Sequence, residues 1–163
     1  MPRKLESETT GMLLNDVSRL LRAAFDRKVN AMQLGITPGE ARTLIQVATT
    51  EGIKQAEIAT RMGIEPMTLS AYLDRLEALG LVVRVPDPAD RRAKNVVVSD
   101  RADPLIDEMM AGLREMMGAY TEGLGEGGLE LLRGNLRILR DNLRRLDPCL
   151  AGKEGNREKG AAE

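Results

Sequence analysis

The stretch QAEIATRMGIEPMTLSAYLDRLEALG, residues 55–80, leaves the backbone few options. A helical pattern runs over QAEIATRM and stops at Gly63, a residue able to take the left-handed conformation that closes a helix. Glu65-Pro66 restarts the chain at once. The carboxylate is a candidate N-cap, and the proline suits the first position of a helix that ends before Gly80. Two short helices joined by a glycine-bearing turn have the spacing of a helix-turn-helix. On the second helix Leu69, Leu73 and Leu76 share one face and must pack inward. The opposite face carries Met67, Ser70, Ala71, Asp74 and Arg75, with Thr68 at its edge, and its mostly small or polar groups suit a face left open for a partner.

The next segment, LVVRVPDPADRRAKNVVVS, reads as a strand over 81–85, a loop over 87–94 and a returning strand over 95–99. The proline-rich step into the loop limits how far pairing can run, so a short ribbon is predicted. Its positive charge sits at the tip, on Arg91 and Arg92. Either these arginines solubilise an exposed loop, or they reach a minor groove beside a helix that occupies the major groove, where an arginine senses enhanced negative potential. Asp90 cannot favour DNA by its charge. Its useful role would be to hold one arginine through a carboxylate–guanidinium bond so that the other is presented in a fixed direction; either arginine could be the one that inserts.

The flanks are helical. Leu13, Val17, Leu20, Leu21, Ala24 and Phe25 follow amphipathic spacing over about 11–32, with Gly35 as the expected stop. Thr37-Pro38-Gly39-Glu40 is a capping box with proline at the first helical position. It should open a helix to about Thr49 with Ala41, Leu44, Ile45 and Ala48 inside. Pro104 opens a further segment with Ile106, Met109, Leu113, Met116 and Tyr120 at threes and fours. After an expected loop over 123–128, Leu129, Leu132, Leu136, Leu139, Leu143 and Leu146 form a heptad seam of about two and a half repeats, too short for a free-standing coiled coil. The seam needs neighbours, and a homodimer supplies them. The tail over 148–163 is rich in glycine and mixed charge and is expected to be disordered.

Composition narrows the function classes. With 163 residues and a net charge of −1, the chain can build a core, but its charge as a whole does not attract nucleic acid. Basic groups would have to be concentrated on one face. There is no histidine and one cysteine, Cys149, so an internal disulfide and a conventional zinc cluster are excluded and the commonest general base is missing. No apolar run approaches the ~18 residues of a membrane span, and the start lacks a secretory signal pattern, which makes the cytoplasm the expected location and excludes a membrane partner.

The run LDRLEALGLVVR, the loop DPADRRA and their spacing resemble the MarR family of winged helix-turn-helix transcription regulators, and the flanking helices fit as well. The resemblance implies a mainly α fold with a small two- or three-stranded β wing. It implies that 1–36 and 101–147 supply dimerisation helices, that 37–100 is the DNA-binding domain, and that each subunit of a homodimer presents its winged helix to half of a palindromic operator in double-stranded DNA. It also implies a small-molecule effector, of unknown identity, in a pocket between the winged domain and the dimerisation helices. No other cofactor is expected. Three departures stand out: the wing ends in Val98-Ser99 followed by Asp100-Arg101, Ala71 stands where many relatives carry arginine, and the first helix lacks the reactive cysteine of the oxidation-sensing subgroup.

Thr68, Ser70 and Arg75 are the candidate recognition-helix contacts, because hydroxyls bond to phosphates or base edges and arginine addresses guanine bidentately. Arg75 could instead pair with Asp74 or Glu77. Met109, Met110, Met116 and Met117 either fill the core or line the effector pocket. Arg133, Arg137, Arg140 and Arg144 form either a solvated stripe or a row of intersubunit ion pairs. The leading function is a DNA-binding regulator, a repressor released by its effector. The alternative is a winged-helix protein-interaction module without specific DNA binding. No nucleophile–base pair, phosphate loop or metal spacing points to an enzyme.

Overall fold

A computed structural model describes residues 8–50, 52–88 and 93–147. Helix α1 (Thr10–Met32) starts at Thr9, whose hydroxyl accepts the Met12 amide, and stops at Gln33, which takes the left-handed conformation at φ 52°. Gln33 thus does the work expected of Gly35, closing the helix two residues sooner. Helix α2 (Pro38–Ala48) has the predicted capping box with both halves made: Thr37 N–H donates to Glu40 Oε2 at 2.7 Å, and Glu40 N–H to Thr37 Oγ1 at 3.3 Å. Ala41, Leu44 and Val47 form its buried stripe. Ile45 is half-buried and Ala48 exposed, so the buried face is rotated from the expected one toward Val47.

Helix α3 (Gln55–Met62) closes at Gly63 with φ 62°, and α4 (Pro66–Ala78) follows with proline at its start. Glu65 occupies the N-cap position but makes no side-chain cap bond there. The sheet has order β1-β3-β2, built from β1 (Ile53–Lys54), β2 (Val82–Pro86) and β3 (Lys94–Val98), all antiparallel. The ribbon is therefore three-stranded, because the two residues before α3 pair with β3. Pairing also runs through Pro86, opposite Lys94, and on to Asp87, whose N–H donates to the Ala93 carbonyl at 3.1 Å. That bond and Ser99 N–H to Leu81 O place the odd-numbered residues of β2 in hydrogen-bonded pairs, so Pro86 sits where no ladder donor is needed.

Ser99 caps a 3-10 turn (Asp100–Ala102) by accepting the Arg101 amide, which resolves the wing-to-helix junction. Helix α5 (Asp103–Tyr120) and helix α6 (Gly125–Leu146) complete the chain. The latter begins inside the expected loop: left-handed Gly125 stands at its start, and Gly127 and Gly128 continue the helix rather than interrupting it. One core joins Val29 of α1, Leu44 of α2, Ile58 of α3, the α4 leucines, Val82 and Val96 of the sheet and Met109 of α5. Helix α6 contributes no buried residue. No helix among the described residues is long and apolar enough to cross a membrane, and none of their acidic or thiol side chains cluster to hold a metal.

Candidate nucleic-acid interface

Helix α4 has two unlike faces. Leu69, Leu73 and Leu76 are fully buried and anchor it against the core. Thr68, Ala71 and Arg75 are exposed, Ser70 is half-buried, and Met67 is 85% exposed. Tyr72, between these faces, lies on Gly39 of α2, where an added Cβ would fall 2.4 Å from its ring. Glycine fits this close approach, where any side chain would force the tyrosine ring to shift, and it lets the second helix of the motif settle onto α2.

The wing is tied to this helix by Arg84, which the sequence reading did not single out. Arg84 shares a sheet face with Val82 and Val96, so it points toward the core and not to solvent. Its Nη2 lies 2.6 Å from Asp74 Oδ1 and donates to the Ser70 carbonyl at 3.2 Å, while Nη1 lies 2.7 Å from Glu77 Oε2. The Arg84 amide also donates to Glu77 Oε1 at 3.2 Å. One side chain thus spans the outer turns of α4 and offsets both of its carboxylates. Arg75, for which pairing with those carboxylates was the alternative to a DNA contact, makes no ion pair among the described residues.

At the base of the wing Asp87 is buried and its carboxylate lies 3.3 Å from Lys54 Nζ, fixing the end of β1 to the root of the loop. Between α3, the amino end of α4 and the wing lies a cleft of about 920 Å³, lined by Gln55, Thr60, Glu65, Ser70, Asp74, Arg84 and Lys94 among others.

Comparison with known proteins gives this arrangement its family. A MarR family model matches residues 34–93. The HTH-type transcriptional repressor MdtR of Bacillus subtilis is 28% identical over 110 residues, 64% of this chain and 71% of that protein. The crystal structure of transcriptional regulator PA3341 is 32% identical, covering 84% of this chain and 99% of that one with a TM-score of 0.72. The chain belongs to the MarR family. CouR from Rhodococcus jostii RHA1 bound to p-coumaroyl-CoA is 28% identical, with TM-score 0.68 over 84% of this chain and 95% of that one. CouR bound to a 23-mer DNA duplex is 26% identical, with TM-score 0.66 over 85% and 99%. MarR-family members are transcriptional regulators and not enzymes, and this chain is a winged-helix transcription regulator.

The remaining expectations fall unevenly on this MarR-family fold. Thr68, Ser70 and Arg75 lie on one helix, as expected, though Ser70 is less open than the other two. Asp90, Arg91 and Arg92 lie outside the described residues, as does Cys149. Leu132, Leu136, Leu143 and Leu146 are 42–74% exposed in the single chain, and Leu129 and Leu139 are half-buried. Leu13, Val17 and Leu20 of α1 are about half exposed too, so the apolar surface extends beyond the seam. Of the four methionines, Met109 is fully buried in the core, Met110 and Met116 are half-buried and Met117 is exposed. The cleft described above lies elsewhere, between helix-turn-helix and wing, and not beside these methionines. Along α6, Arg133 pairs with Glu130 and Arg140 with Asp141 within the helix.

Proposed function

We propose that this protein is a homodimeric, sequence-specific DNA-binding regulator of the cytoplasm, a repressor whose hold on a palindromic operator is weakened by a small-molecule effector. The observation that carries this reading is the division of α4: one face is locked into the core, and the other, with Thr68 and an Arg75 that has no ion pair among the described residues, is open beside a wing that Arg84 holds in register. Residues 37–100 bind DNA in this reading, with Arg91 or Arg92 of the wing tip in the minor groove and Asp90 orienting it. The exposed apolar surfaces of α1 and α6, within 1–36 and 101–147, meet their counterparts in a second subunit. CouR, solved both on a DNA duplex and with p-coumaroyl-CoA, supports the pairing of DNA and effector.

A net charge of −1 and Ala71 favour a second reading, a protein-interaction module without specific DNA binding. Fluorescence anisotropy separates the two. The duplex beside the protein's own gene should bind at least about 10³-fold tighter than random duplex and weaken as salt rises. Equal binding of both duplexes would select the second reading.

A further inference from the structure

Met67 is the most exposed large apolar side chain among the described residues, and it does not belong to the apolar surface of α1 and α6. It stands in the first turn of α4, the part of a recognition helix that approaches base edges. Ala71 lies one turn further on the same face, and Thr68, with its γ-methyl, lies beside them; both are exposed. Asp74, in the next turn, has its charge offset by Arg84, while Arg75 has no ion-pair partner among the described residues. The face is therefore apolar at its amino end and cationic one turn later.

In a major groove the apolar group on a base edge is the C5-methyl of thymine, and arginine is matched best by guanine. We infer, building on the DNA-binding reading above, that Met67 and Ala71 read thymine methyl groups, so that each half-site places thymine against the amino end of α4 and guanine toward Arg75. The unbranched thioether adapts to the methyl without requiring a polar partner. Ala71 is part of the device, since its small side chain leaves the space for a base methyl to approach the helix.

The test starts with selection of duplexes from a random pool by the full-length protein. Thymines of the selected half-site are then replaced singly by uracil, which removes the methyl and keeps the pairing edge. Binding is measured for the natural protein and for Met67→Ala, a substitution at a site too exposed to affect folding. Loss of each contacted methyl should weaken binding about fourfold. That penalty should nearly vanish in Met67→Ala at the position Met67 touches. Uracil penalties that are absent, or equal in the two proteins, would overturn the thymine assignment while leaving DNA binding intact. A pool with no enriched sequence would overturn the DNA-binding reading and this inference together.

Discussion

Replacing Arg84 with methionine would keep much of its bulk and leave Asp74, Glu77 and the Ser70 carbonyl without their shared donor. Because both carboxylates are partly solvated, the cost should be about 1–2 kcal/mol in a urea melt, and not that of a fully buried pair. Amide exchange in β2 and β3 should quicken, and DNA affinity should fall although Arg84 need not touch DNA; unchanged exchange would show that the wing is held by other contacts. Gly39 offers a cleaner packing test. Gly39→Ala should cost about 1–3 kcal/mol because the new methyl meets Tyr72. In a Tyr72→Leu background the same change should cost much less, and equal costs in both backgrounds would dismiss the contact. If an arginine of the wing tip enters the minor groove, removing it should flatten the slope of log affinity against log salt by about one unit. Asp90→Ala should weaken binding if Asp90 orients that arginine, and strengthen it if only its charge matters.

Helix α5 is held to α1 partly by Glu115, whose carboxylate accepts from Lys28 Nζ at 2.8 Å. That hydrogen bond first, and the attraction of the ammonium second, hold the Glu115 carboxyl below its ordinary range. A carboxyl depressed in the folded state adds stability above its unfolded pKa, and that contribution disappears as pH falls through the folded value. NMR titration should therefore find Glu115 more acidic than a free glutamate and Lys28→Met should restore it; the same titration curve in both proteins would break the link. Helix α6 is tested by Leu136→Lys with Leu139→Lys. Sedimentation should show monomers with the winged domain still folded, since α6 contributes nothing to the core. A persistent dimer would move the interface away from this seam. Both experiments address elements whose pairing was only partly legible in sequence. The heptad spacing marked the α6 seam, whereas its start was misplaced because Gly125, Gly127 and Gly128 read locally as a loop. Strand β1, two residues long, has no periodicity to detect.

For the molecule as a whole, the helical order and the winged helix-turn-helix were readable because caps and glycines punctuate the chain wherever apolar spacing changes. The outward face of α4 was readable for the same reason, since Leu69, Leu73 and Leu76 fix which side of the helix turns away from the core. Arg84 was missed because a charge in a short strand reads as solvent-facing. Its signal was parity with Val82, which makes it an inward position. The same parity acts on the strand's other side. β2 is an edge strand of the sheet, and an unpaired strand edge is a template onto which another chain can add. At its outward backbone positions 84 and 86, one amide is occupied by Glu77 and the other does not exist, because the residue is proline. A neighbouring chain finds no free donor at those two positions, so this edge is a poorer template for strand addition than a fully open one.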